Sequence, residues 1–187
     1  MAVTLRLLEK TGDPAAVNVA AIVTEVGCTP PTLYHYWPKR ELLLREASAL
    51  GFARFRSSQA TAASTTTDPV DRIRLRGEAY LDFALARPAL FRVLFLDRPV
   101  PDHVPTTVDD PGEGLADLVA DVSAAIEAGQ LTGDDPLVVA VGLWAAVHGI
   151  AALWTATPGL PRGLAGTISA RQTEALLTGY GHAPASR

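Results

Sequence analysis

The stretch Val26-Gly27-Cys28-Thr29-Pro30-Pro31-Thr32-Leu33-Tyr34-His35-Tyr36-Trp37-Pro38-Lys39-Arg40-Glu41-Leu42-Leu43 decides the fold. It reads as a tight turn, a short helix, a break and the start of a long helix. Gly27 can take the positive φ that closes the preceding helix. Thr29 is placed to cap the next one with its hydroxyl. Pro30 falls at the first helical position and Pro31 in the first turn, where a missing N–H costs nothing. At about 100° per residue, Leu33 and Trp37 stack on one face while Pro31, Thr32, Tyr34 and His35 point the other way. That outward face offers hydroxyls, an imidazole and no carboxylate. Pro38 stops the helix. Such a helix suits the major groove of DNA. An ordinary surface helix fits the face pattern equally well.

Upstream, residues 2–11 fit a short helix with Val3, Leu5, Leu7 and Leu8 apolar, ended by Gly12-Asp13-Pro14. Asn18 can cap a second helix, Val19 to Val26, with Val19, Ile22, Val23 and Val26 on one face. Three short helices, the last two joined by a Gly-containing turn, make a helix-turn-helix.

Downstream, a fourth helix starts at Lys39 or Arg40 and runs to about Ser58, apolar at Leu42, Leu43, Leu50, Phe52 and Phe55. Residues 57–67, rich in Ser, Thr and Ala, read as a low-complexity connector. Asp68-Pro69 opens a helix that continues to Arg87. Pro88 breaks it, and Ala89 to Leu96 form a short apolar helix. Residues 97–112 hold Pro99, Pro101, Pro105 and Pro111 and read as a loop. Helices follow at about 113–128, 136–156 and 162–178, and the tail from Gly181 is expected to be disordered. No stretch alternates long enough for a strand. The fold expected is all-α, about nine helices, divided into residues 1–45 and 46–187.

Cys28 is the only cysteine, so no internal disulfide is possible. Met1 to Lys10 carries Arg6, Glu9 and Lys10 with no long apolar run, so it does not read as a signal peptide. The net charge of −4 does not by itself suggest a nucleic-acid binder. Split along the chain it does better. Residues 1–58 hold seven basic against five acidic residues, a net +2; the rest holds nine against fifteen, a net −6.

Leu137 to Trp154 is uncharged over eighteen residues, the lower limit for a membrane span. His148, two glycines and many alanines lie within it, and no basic anchors follow closely. It reads instead as the buried centre of a bundle. Trp144 and His148 share a face. They fit either an aromatic ligand pocket with one polar hook or a core Trp packed on a hydrogen-bonded His.

The segment Asn18 to Leu43 resembles the DNA-binding module of the TetR family of transcriptional regulators. The carrying residues are Val19-Ala20-x-Ile22, Val26-Gly27-x-Thr29, and Pro31-Thr32-Leu33-Tyr34-His35-Tyr36-Trp37-Pro38-x-Arg40-x-Leu42-Leu43. Pro88-Ala89-Leu90-Phe91-Arg92 and Trp144-x-x-x-His148-Gly149 resemble the Trp-His-Gly regulatory-domain subset of that family. The resemblance implies a cytoplasmic homodimer joined through its last two helices, a palindromic double-stranded operator and a small-molecule effector. It implies DNA contacts at Asn18, Thr29, Pro31, Thr32, Tyr34, His35, Tyr36, Lys39 and Arg40, with Leu33 and Trp37 in the core. It also makes residues 46–187 a ligand-binding and dimerisation domain. The ligand site is expected between the helices carrying Tyr80, Phe83, Phe91, Phe95, Trp144 and His148, residues that suit plain core as well. An apolar or aromatic effector matches that lining.

Three departures reduce the positive charge expected of the family. Position 30 is Pro where Lys or Arg is frequent. Ala20 stands where some members have Arg, and no basic arm is seen before the first helix, which implies either a truncated start or weak operator binding. Each lost cation removes phosphate neutralisation. A second reading follows, a helical dimeric small-molecule-binding protein with weakened or lost DNA binding. Enzyme chemistry is not indicated. Cys28 has no identifiable basic partner. His35, His103, His148 and His182 lack metal-ligand spacing, and no Gly-rich phosphate loop exists, so no cofactor or metal is expected.

Overall fold

The computed structural model describes residues 2–11, 17–96, 115–133, 135–157 and 159–181, with backbone alone at residues 2, 8, 40, 41 and 43–48. Within these, nine α-helices and one π-helical turn follow each other, with no strand. They are α1 (Ala2–Thr11), α2 (Val19–Val26), α3 (Pro30–Tyr36), α4 (Arg40–Ala63), α5 (Pro69–Ala86), α6 (Pro88–Phe91), the π turn Arg92–Leu96, α7 (Ala116–Glu127), α8 (Pro136–Ala156) and α9 (Arg162–Tyr180). The expected loop at 97–112 and the tail beyond Gly181 lie outside the described residues. So do residues 113 and 114, where the seventh helix was expected to begin.

The helix boundaries have local causes. The Asn18 carboxamide oxygen accepts from the Ala21 N–H at 2.9 Å, and the Asp68 carboxylate accepts from Asp71 N–H at 2.9 Å. Gly27 closes α2 at φ 73°, a left-handed conformation glycine takes without a Cβ clash. Pro30, Pro69, Pro88 and Pro136 each open a helix.

Two expectations about α4 and α3 are corrected. The fourth helix does not stop near Ser58; it runs on to Ala63 through most of the expected connector. The reason is tertiary. Gln59 and Ala63 are buried against the bundle, and α4 packs along α5. Only Ser64 to Asp68 connects the two helices. Thr29 occupies the cap position of α3 but makes no capping bond; its hydroxyl lies 3.0 Å from that of Thr32. Further along, the expected helix from Ala89 to Leu96 is one α-turn followed by a π turn.

One buried cluster runs from Leu5, Val17, Ile22 and Leu33 through Phe52, Phe55, Tyr80, Leu90 and Phe91 to Ile150 and Ala165. The three N-terminal helices therefore share a continuous core with the larger bundle. A second cluster joins α5, α7, α8 and α9 around Ile73, Val122, Leu143 and Leu177. At Gly51 a Cβ would come within 2.9 Å of Leu90 Cδ1, so α6 and α4 approach closely there. Glu9 of α1 accepts from Arg54 of α4 and forms an ion pair with Arg87 at the end of α5, both at 3.3 Å.

Between α5 and α7 lies a buried ionic cluster that sequence reading did not anticipate. Asp121 bonds Arg76 Nε at 2.5 Å and Arg72 at 2.8 Å, and both Arg76 and Asp121 are buried. α8 is long and apolar enough to cross a membrane by length and composition. Here it packs against α5, α7 and α9 on one side while Val138, Val141 and Leu153 stay exposed. It is therefore not the buried centre expected from its all-round apolarity; apolarity alone does not say which face meets the bundle.

Candidate DNA interface and aromatic cluster

α3 is held by one face and open on the other. Leu33 is buried, Trp37 half-buried, and the Trp37 N–H donates to the Leu33 carbonyl to close the helix. Thr29, Pro31, Thr32, Tyr34, His35 and Tyr36 are all exposed, with Tyr36 at 68%. The His35 and Tyr36 rings meet edge-on at 5.2 Å, and Tyr36 leans on Trp37 at 5.9 Å. The helix carries no carboxylate, so phosphate oxygens would meet no like charge on it. Lys39 is exposed at the start of α4. Arg40 opens that helix, and its side chain lies outside the described residues. Asn18 is exposed, but its oxygen is committed to the α2 cap, leaving only its amide N–H groups for another partner.

The second assembly is inside the bundle. Tyr80 from α5, Phe91 from α6, Phe95 from the π turn, and Trp144 and His148 from α8 come together. The Tyr80 hydroxyl is 2.7 Å from His148 Nδ1. His148 meets Trp144 at 5.4 Å, Phe91 and Phe95 at 5.7 Å, and Tyr80 at 6.2 Å between ring centroids. Five of the six residues expected from sequence are thus one contact group. Phe83 joins only through Phe55, at 5.3 Å, and Arg87 lies over its other side. Phe52 and Phe55 of α4 belong to the cluster as well, both edge-on to Phe95. They were legible only as apolar positions of α4, because the meeting of Phe55 with α5 and of both with the π turn depends on tertiary packing.

The cluster perturbs its titratable groups. Burial holds the His148 imidazole below its ordinary pKa, so the neutral ring is favoured. Burial also pushes the Tyr80 hydroxyl up. Among the described residues no group of His, Cys, Asp or Glu is arranged to hold a metal ion.

Both parts of the chain match known families. Residues 1–47 match the model for bacterial regulatory proteins of the tetR family. Residues 73–178 match the tetracyclin repressor-like C-terminal domain. The chain belongs to the TetR family. It is a DNA-binding transcriptional regulator with a helix-turn-helix at its N-terminus.

Solved structures agree on the fold. A protein of unknown function from Rhodococcus sp. RHA1 superposes with a TM-score of 0.79 at 21% identity, over 97% of this chain and 95% of that one. The TetR family transcriptional regulator PfmR from Thermus thermophilus gives 0.67 at 16% identity, over 94% and 97%. A bacterial regulatory protein in the tetR family from Rhodococcus RHA1 gives 0.68 at 20% identity, over 97% and 95%. At these identities the likeness is one of fold. No curated protein matches the chain.

Proposed function

We propose that this regulator is a ligand-responsive repressor, which binds a palindromic operator as a homodimer and is released by a small apolar or aromatic effector. The observation that carries the DNA half is the α3 face: polar and aromatic groups exposed to solvent, fixed from behind by Leu33 and Trp37. Thr32, Tyr34 and His35 would read base edges with hydroxyl and imidazole groups. Asn18, Thr29, Pro31, Tyr36, Lys39 and Arg40 would position the helix on the backbone. Residues 1–45 serve as the DNA-binding unit and 46–187 as the effector and dimer unit.

Dimerisation through α8 and α9 is supported by apolar side chains left open on both. Val138 is 62% exposed, Leu153 59% and Leu164 46%. Large apolar groups in such number on neighbouring helices favour a covered surface. A two-fold arrangement places two α3 helices about one DNA turn apart, ~34 Å. An effector that prefers another spacing lowers DNA affinity by its differential affinity for the two states. The aromatic cluster supports an effector site on the second domain. We read the protein as cytoplasmic and non-enzymatic, with no cofactor.

Selection from a randomised duplex pool at low salt tests this reading. A palindromic consensus is expected, and recovery of none contradicts it. The second reading, a dimer that has lost DNA binding, draws on the exposed, uncharged Ala20 and Pro30. Tyr34→Ala combined with Arg40→Ala separates the two. The repressor loses DNA binding and stays dimeric; a protein without DNA function behaves as before.

A further inference from the structure

The remaining hydrogen-bonding capacity of His148 bears on what the effector is. Tyr80 is buried, and its O–H must find an acceptor. His148 Nδ1, at 2.7 Å, is that acceptor. A neutral imidazole that accepts at Nδ1 carries its proton at Nε2. Among the described residues Nε2 has no hydrogen-bond partner. The ring neighbours Phe91, Phe95, Trp144 and Tyr80 carry no charge. A half-buried donor in that setting favours a neutral acceptor, because a carboxylate there would lose its water among uncharged rings.

We propose that the effector is an uncharged, largely aromatic molecule bearing a carbonyl oxygen, and that His148 Nε2–H donates to that oxygen. This rests on the reading of the aromatic cluster as the effector site. Phe95, half-buried on the π turn, is the ring placed to give way, since π turns recur where helices are adapted to function.

The test uses the full chain labelled with nitrogen-15 at histidine, with acetophenone and ethylbenzene as probes. The two share a skeleton and differ in the carbonyl oxygen. His148→Gln assigns the resonance; should it fail to fold, Tyr80→Phe shifts the same signal. The expected results are an Nε2–H tautomer, movement of the Nε2 resonance by acetophenone, and binding about tenfold tighter than ethylbenzene, the worth of one hydrogen bond. An Nδ1–H tautomer overturns the proposal, as does equal affinity for the two probes with both perturbing His148. If neither probe perturbs His148 at millimolar concentration, the effector-site reading itself falls and the proposal with it.

Discussion

The same side-chain types do opposite things in two places in this molecule. On α3, Tyr34, His35 and Tyr36 stand in solvent, anchored only through Leu33 and Trp37 behind them. In the bundle, Tyr80, His148 and Trp144 are turned inward, and the Tyr hydroxyl and His ring are spent on each other. The difference is made by position on the helix. Tyr34 and His35 lie off the Leu33–Trp37 stripe. Tyr80 and His148 lie on the stripes by which α5 and α8 pack. The exposed set contributes little to folding and is available to a macromolecular partner. The inward set, Tyr80 buried and His148 and Trp144 half-buried, contributes to folding, with the Nε2 edge of His148 left over.

This contrast can be broken by substitution, and the largest effects belong to the buried side. Phe91→Ala empties a fully buried site and should destabilise by about 3–5 kcal/mol in chemical denaturation. Asp121→Ala leaves the buried Arg76 guanidinium without its main partner and should cost a similar amount, about 3–5 kcal/mol. Wild-type stability from either variant would show that the bundle is not packed around these groups. Tyr80→Phe keeps the ring and strands His148 Nδ1, costing about 1–3 kcal/mol. Tyr34→Ala, by contrast, should change stability by no more than about 0.5 kcal/mol. A large loss there would mean that α3 is part of the core rather than a presented face.

Acidification sharpens the same comparison. The folded state holds His148 below its ordinary value of 6.5, so the unfolded chain takes up its proton first. The His148 contribution to stability is therefore complete above pH 6.5 and is lost as the pH falls below it. His148→Phe should remove that part of the slope, and its retention in the variant would place the slope elsewhere. The carboxylates of Asp68 and Glu174 are held below their ordinary range by hydrogen bonds, from the Asp71 N–H and from Arg74 respectively. Their contributions are lost only at lower pH.

How much of this was legible in the chain depended on distance along it. The α2–turn–α3 unit was readable because Asn18, Gly27, Pro30 and Pro31 act on their immediate neighbours. The extension of α4 to Ala63 was not, since its Ser, Thr and Ala residues give no periodic signal and the helix is held by Gln59 and Ala63 against the bundle. The Thr29 cap failed because its hydroxyl meets Thr32 instead. The Tyr80–His148 bond links residues 68 apart, and the Arg76–Asp121 pair spans 45. Sequence could nominate Tyr80 and His148 as chemistry-bearing residues, but not join them. Phe52 and Phe55 were visible as apolar and invisible as cluster members for the same reason.

The central claim is that the α3 face reads a two-fold DNA site. The most direct measurement is duplex selection with the full-length protein at low salt, run in parallel with Tyr34→Ala. A palindrome with half-sites about one helical turn apart is expected, enriched by the wild type and lost by the variant. Enrichment of no palindrome, or the same palindrome from both proteins, would contradict it.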